Sequence, residues 1–417
     1  MNRRLFTLAA TAAATVSLSF ASAASPAQQL LDEVGQALQS RYGGLSTVDL
    51  KNLVGVARTD LEQACGDAGE ACSVEKAYPV INKAIEKLGD EHTYFMTPDA
   101  FADFRARSSG GSRLQYGVKL GNLQGSSEQV VTDVIAGSPA DIAGLKRGDR
   151  LVTIDGTPYT YDLLRDSRTK GSPIRLEAKR GDQNVTFTIQ ASVTSTVDLP
   201  KLSFVGSVAV LRISTFLTGN DPVTGANVGQ TVHNLVREAQ RKNASAIVVD
   251  LRDNGGGSLA ECDYSVSAFV PTFTRVAQTA DGSVPTTVAR GVIRTAGRAR
   301  GGIDQAALWT GPLAVLVNKT SASCSEFFAR EIQYANRGAI IGEVTAGVGN
   351  TATNVIPLSN GAAISVTTLH YAKPDGTPYQ QRVTPDVAAT DDFELLARGT
   401  DVMLQKGLEQ LGVSALR

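Results

Sequence analysis

The stretch that most constrains this chain runs from Leu313 to Gly347. It opens with an apolar run, Leu313 to Val317, of the length and β-branched content of a fully buried strand. A polar turn follows, Asn318 to Ser321, and then an amphipathic segment with Phe328 and Ile332 four apart on one face. Gly338 marks where that helix should stop, and Ala339 to Ile341 reads as the next buried strand. Ser323 therefore falls at a strand-to-helix turn. Free backbone N–H groups and the positive end of a helix dipole stabilise an oxyanion there, which suits an acyl-transfer nucleophile. The plainer reading is a helix N-cap at Ser323, with Glu326 completing a capping box.

At 417 residues the chain should hold two or three domains. Lys+Arg 40 against Asp+Glu 41 leaves no basic excess for nucleic acid. The first 23 residues read as a signal peptide, with Arg3 and Arg4, an apolar run from Leu5 to Phe20, and Ala21-Ser22-Ala23 as the cleavage site. The expected location is exported: periplasm, cell envelope or secreted. No later stretch is apolar for long enough to span a membrane, so the mature protein should carry no spanning helix. Such a compartment allows disulfides, and Cys65 and Cys72, seven apart around Gly66 and Gly69, could close a loop. Cys262 and Cys324 are distant in sequence. They become a second candidate pair if the strands before them adjoin.

Residues 26–110 read as a small helical cap, with apolar stripes at Leu30, Leu31, Val34 and Leu38 and at Val80, Ile81, Ile85 and Leu88. His92, one of three histidines, comes next. Residues 108–112 form a Ser/Gly hinge. Residues 113–193 carry short strands around S-P-A-x-x-A-G-L-x-x-G-D-x-L-x-x-I-x-G, Ser138 to Gly156, a pattern that resembles the PDZ domain of bacterial envelope proteases. Tyr116, Gly117 and Val118 match that family's carboxylate-binding loop and adjoining strand. Such a domain captures an extended C-terminus as an added strand. Residues 196–417 alternate strands and helices, an α/β core closed by a helix from Phe393 to Leu411. The helix Val228 to Lys242 sets His233 among polar neighbours, which reads as surface. The strand Ala246 to Arg252 runs into Asn254-Gly255-Gly256-Gly257, whose glycines permit close backbone approach; no phosphate-loop lysine comes after them. The fold class is α+β and multidomain.

Three blocks together resemble the C-terminal processing (tail-specific) peptidases: the PDZ motif, D-L-R-D-N-G-G-G-S-L, and S-A-S-C-S-E followed by G-E-V-T-A-G. Leu88 to Pro98 and Arg382 to Asp386 fit two further motifs of that family. The resemblance implies a core of crotonase-like ββα superhelix type, Ser323 as nucleophile, and an oxyanion hole from the N–H of Cys324 and of Gly256 or Gly257. Most close members carry a lysine in G-K-G and a glutamine four residues later; here Gly347-Val348-Gly349 and Ala352 stand in those places. A Ser–Lys dyad is not supported. A second branch, resembling the tricorn protease core, pairs its serine with a histidine that His92 matches, and with a carboxylate that is missing here. In that reading Gln380 or Gln381 takes the orienting role, with Asp90 a further candidate, and His370 is the runner-up base.

The activity expected on these grounds is that of a serine endopeptidase that reads flexible C-terminal tails of protein or peptide substrates, with no cofactor and no metal. Three scattered histidines, without H-x-x-x-H or C-x-x-C, supply no ligand set. An oligomer is compatible with it. An imidazole base titrates near about 6.5, so activity should rise with pH around a midpoint of roughly 6 to 7.5. The alternative is a catalytically silent, PDZ-containing scaffold that only binds peptide tails.

Overall fold

The computed structural model describes residues 24–413, apart from Gly110, Thr218, residues 221–223 and Ala280. The signal-peptide reading, residues 1–23, lies outside the described residues. Among those described, no helix is long and apolar enough to cross a membrane.

The strands Ala246–Asp250 and Leu313–Val317 are buried along their whole length because both faces of their sheet are covered. Their side chains alternate between two cores, as the period of two in a strand requires. Ile247, Val249, Val315 and Val317 join Phe328 and Ile332 of the helix Cys324–Tyr334. Ala246, Val248, Ala314 and Leu316 face the other way, onto Met403 and Leu408. The sheet runs in the order Lys201–Val205, Val208–Arg212, Ala246–Asp250, Leu313–Val317, Ala339–Gly342, Val387–Ala388. All neighbours are parallel except the first pair. Two parallel strands need a crossover between them, and the helix Cys324–Tyr334 is the one that joins Leu313–Val317 to Ala339–Gly342.

A second sheet is antiparallel and carries Tyr94–Met96, Ala363–Ala372, Thr272–Thr279 and Gly282–Ala289 in that order, then two further strands to Gly302. Thr351–Pro357 pairs with Ala363–Ala372 as well. The N-terminal region is therefore not helical throughout. Helices Pro26–Arg41, Leu50–Cys65, Ala77–Glu86 and Pro98–Ser108 surround the strand Tyr94–Met96, which pairs with Ser365, Ile364 and Ala363. That pairing brings the segment just before it, with His92, to the core. Cys65 and Cys72 are joined, their Cα atoms 5.5 Å apart.

The middle region forms a separate sheet ordered Val118–Asn122, Gln129–Val134, Arg150–Ile154, Ile174–Arg180, Gln183–Ile189. Val118–Asn122 is an outer strand, with one edge open to an added strand. Gly117 before it has φ 87°, and a Cβ there would lie 2.1 Å from the Ser138 Cβ, so only glycine fits. Tyr116 is buried and its carbonyl accepts from the Ala140 N–H at 2.9 Å.

Two expectations fail here. The terminal helix breaks into Phe393–Ala397 and Val402–Gln410, because Gly399 turns left-handed at φ 93° and Asp401 caps the second piece through the Leu404 N–H. His233 is not on the surface. It is fully buried, accepting from the Ala307 N–H at 2.9 Å on Nδ1 and donating from Nε2 to the Tyr264 carbonyl at 2.9 Å. A helix face that reads as polar was covered by the helix Leu259–Val266 and the loop at Ala307.

Charged groups tie the middle sheet to the core. Asp133 accepts from Arg212 at 3.0 Å and from the Ser214 hydroxyl at 3.0 Å, with Lys119 at 3.6 Å. Burial would raise its carboxyl, but Arg212, Lys119 and Lys201 hold it down at about 2. On the far side Arg147 donates to Asp401 at 2.9 Å.

Candidate active site

Ser323 caps the helix Cys324–Tyr334 with φ 54° and ψ −114°, a conformation that side chains other than glycine's rarely adopt. Such strain costs roughly 1–3 kcal/mol and persists only where the surroundings impose it. Here they do. The Ser323 N–H donates to the Glu326 carboxylate at 2.9 Å, and its carbonyl accepts from the N–H groups of Glu326 at 3.0 Å and Phe327 at 3.1 Å. Ser323→Gly is therefore expected to be more stable than Ser323→Ala by roughly 1 kcal/mol, the strain released less the chain entropy that glycine adds. Chemical denaturation of the two variants measures this difference.

The glycine loop lies against that turn. A Cβ on Gly256 would meet the Ser323 Cβ at 2.7 Å and the Cys324 nitrogen at 3.0 Å. Gly256 and Gly257 both have positive φ, 95° and 143°. Their N–H groups are not equivalent. That of Gly256 is engaged by the buried Asn254 side-chain oxygen at 2.9 Å. Among the described residues, no acceptor lies on the N–H of Gly257 or of Cys324. Of the two glycines the sequence left open, Gly257 is thus the one with a donor to offer. Gly257 is itself pinned, since a Cβ would meet the Phe216 carbonyl carbon at 2.2 Å.

Cys262 and Cys324 adjoin, as their flanking strands require, but both are free thiols. Each is spent on a carbonyl: Cys262 on that of Cys324 at 3.0 Å, and Cys324 on that of Gly257 at 3.1 Å. Burial and the neighbouring Cys324 push the Cys262 thiol up.

His92 is half-buried behind the strand Tyr94–Met96, with Nδ1 2.8 Å from the Thr351 hydroxyl. The Thr351 hydroxyl also faces the Val348 carbonyl at 3.5 Å. Its proton directed there leaves the oxygen to accept from Nδ1–H, which puts the imidazole lone pair on Nε2. Burial lowers the imidazole to about 4, against an upward pull from Asp90. That corrects the midpoint of roughly 6 to 7.5 expected for an unburied ring. His370 stands directly opposite Thr351 in the strand pair, and its Nδ1 is buried without a partner among the described residues.

Among the described residues, the hydrogen bond on the His92 ring is with Thr351 and not with Gln380. The Gln380 side chain is exposed, and its carbonyl accepts from Arg330, which also donates to the Gly349 carbonyl at 2.6 Å. The partner of His92 is Thr351, which no motif had singled out. Val348, in the place of the family lysine, is buried, and its N–H donates to Glu326 at 2.9 Å.

Residues 207–389 match the profile of peptidase family S41, and residues 130–168 that of a PDZ domain. The stretch between the PDZ-like region and the C-terminal helices is thus similar to a peptidase family S41 core. The chain is 29% identical over 336 residues to the chloroplastic C-terminal processing peptidase of Tetradesmus obliquus, covering 75% of this chain and 68% of that protein. It is 28% identical over 337 residues to carboxyl-terminal-processing peptidase 2, chloroplastic, of Arabidopsis thaliana, covering 75% and 60%. With the carboxyl-terminal-processing protease of Synechocystis it shares 25% over 361 residues, covering 81% and 77%. The fold is similar to that of a putative S41 protease from Bacteroides fragilis, with a TM-score of 0.60 at 14% identity over 91% of this chain and 95% of that one. Mature CPAF aligns with a TM-score of 0.51 at 13% identity, over 89% and 94%.

Proposed function

We propose that this chain is an exported serine endopeptidase that takes substrates by their C-terminal tails. A tail adds as a strand along Val118–Asn122 beside the Tyr116–Gly117 loop, and the chain beyond it reaches Ser323. His92 acts as general base through Nε2, with Thr351 holding the ring and its tautomer. The Ser323 hydroxyl attacks the peptide carbonyl, and the N–H groups of Cys324 and Gly257 stabilise the oxyanion. The imidazolium then protonates the leaving amine, and water hydrolyses the acyl-enzyme by the same route. Thr351 carries no charge, unlike the carboxylate of a Ser–His–Asp triad, so it orients the base without making it more basic. That is consistent with an imidazole lowered by its burial.

The observation that carries this reading is the strained Ser323 packed against the glycine loop, beside N–H groups of Cys324 and Gly257 that have no acceptor among the described residues, a geometry with no use in a plain helix cap. A serine-directed fluorophosphonate probe tests it. Wild-type protein should be labelled at Ser323 and Ser323→Ala not at all. Equal labelling of both would move the nucleophile elsewhere. Folded wild type that takes no label would instead favour the silent peptide-binding scaffold, which the loss of the lysine and glutamine otherwise suggests.

A further inference from the structure

Glu326 is fully buried, and its four hydrogen-bond partners are neutral donors. One oxygen accepts from the Gly347 N–H at 2.8 Å and from the Thr345 hydroxyl. The other accepts from the Ser323 N–H and the Val348 N–H, both at 2.9 Å. Thr345 donates in its bond, because its oxygen already accepts from the Val383 N–H at 2.9 Å. All four partners therefore give protons, and both oxygens only accept. A carboxylate satisfies such a set and an amide cannot.

A helix cap needs only the bond from the Ser323 N–H. The other three fasten the helix start to residues 345–348, and the Val348 carbonyl at the end of that segment faces the Thr351 hydroxyl that meets His92. Gly349 closes against the same side chain, where a Cβ would lie 2.3 Å from the Glu326 Cβ. In lysine-bearing relatives the segment would bring its own base to the serine. Here it brings none, and the base comes from a separate part of the chain, more than 200 positions upstream of Ser323. We infer that Glu326 is the positioning residue that sets the nucleophile and the Thr351–His92 pair relative to one another, by clamping the Ser323 peptide and the 345–348 segment to one carboxylate.

The inference rests on the proposed peptidase reading, and its test separates the two. Glu326→Gln turns an N–H toward two donors on one side of the clamp, whichever way the amide is placed. The expected results are a fall of about 100-fold in kcat and in the fluorophosphonate labelling rate, as for a reacting group displaced by about 1 Å. KM, tail-peptide binding and the midpoint of the pH profile should stay within about 3-fold or 0.3 pH unit, since neither the base nor the docking strand is altered. Hydrogen exchange at Gly347 and Val348 should accelerate at least 10-fold on the order of one lost bond. Thr345→Val should show a smaller loss that Thr345→Ser restores. This pair carries the test if Glu326→Gln does not fold. Folded Glu326→Gln with wild-type labelling and exchange, or Thr345→Val indistinguishable from wild type, overturns the clamp. Wild-type protein that takes no label overturns the peptidase reading instead. The exchange measurement then still decides whether Glu326 holds the two segments together.

Discussion

His92→Ala is expected to lower kcat/KM by roughly 10²–10⁴-fold, the range of general base catalysis, while leaving tail-peptide binding unchanged. Wild-type activity should be level through neutral pH and fall along a single acid limb with its midpoint near about 4. The sign comes from the ring's environment. Burial disfavours imidazolium, so the neutral base persists well below the ordinary histidine range of about 6.5. A lysine base would lose its free form at far higher pH, so the position of the limb separates the two chemistries. The same depression affects folding. The unfolded chain binds a proton at His92 below about 6.5 and the folded chain does not until about 4, so stability falls as pH drops across that window. Ellipticity recorded at each pH keeps loss of fold apart from loss of base. An acid limb that survives in folded, active His92→Ala removes the assignment and directs attention to His370, which stands opposite the same threonine.

The second large effect belongs to Arg252. Its side chain is 2% exposed and meets three carboxylates: Asp250 at 2.7 and 2.9 Å, Asp401 at 2.8 and 3.0 Å, and Asp391 at 2.8 Å. Burial alone would raise the Asp250 carboxyl, yet Arg252 and Arg212 together hold it well below the usual range. Asp391 is raised by its burial and by the neighbouring Asp401 despite Arg252 and Arg147. Removing the guanidinium leaves three largely buried carboxylates facing each other. Arg252→Ala is expected to cost roughly 3–5 kcal/mol, the penalty for breaking a buried pair from one side. The loss should shrink as pH falls from neutral toward the carboxylate range, because an aspartate left unpaired in the fold has a raised pKa and its cost disappears once it is protonated. Urea unfolding at pH 7 and pH 5 measures both parts. Equal destabilisation at the two pH values would mean that packing, and not charge, is what Arg252 supplies. Asp401 also holds Arg147 of the middle sheet, and Arg252 immediately precedes the loop to Gly257. The variant should therefore loosen the middle sheet and the oxyanion loop together.

Local pattern was enough for the parts of this protein that depend on near neighbours. Apolar runs with turn residues between them gave the strands at Ala246 and Leu313, and with them the turn that carries Ser323. The Gly117 and Gly256 positions were legible because only glycine tolerates such close backbone approach. The motif spacing pointed to the two segments that match the peptidase S41 and PDZ profiles. What failed was whatever depends on distant residues meeting. The polar flank of the helix Val228–Arg241 concealed a buried His233, since its partners at Tyr264 and Ala307 lie far along the chain. Gln380 was assigned by its nearness to a motif, yet the hydrogen bond on the imidazole is with Thr351, and Gln380 gives its carbonyl to Arg330. Thr351 carries no sequence signal, because a threonine at the start of a strand is ordinary until the third dimension sets it 2.8 Å from His92. Glu326 was visible only as half of a capping box. Its other three bonds reach residues 19 to 22 positions away. Sequence spacing determines which chemistry the chain has available; hydrogen bonds closed between remote segments decide which donor is free, which ring is oriented and how basic it is.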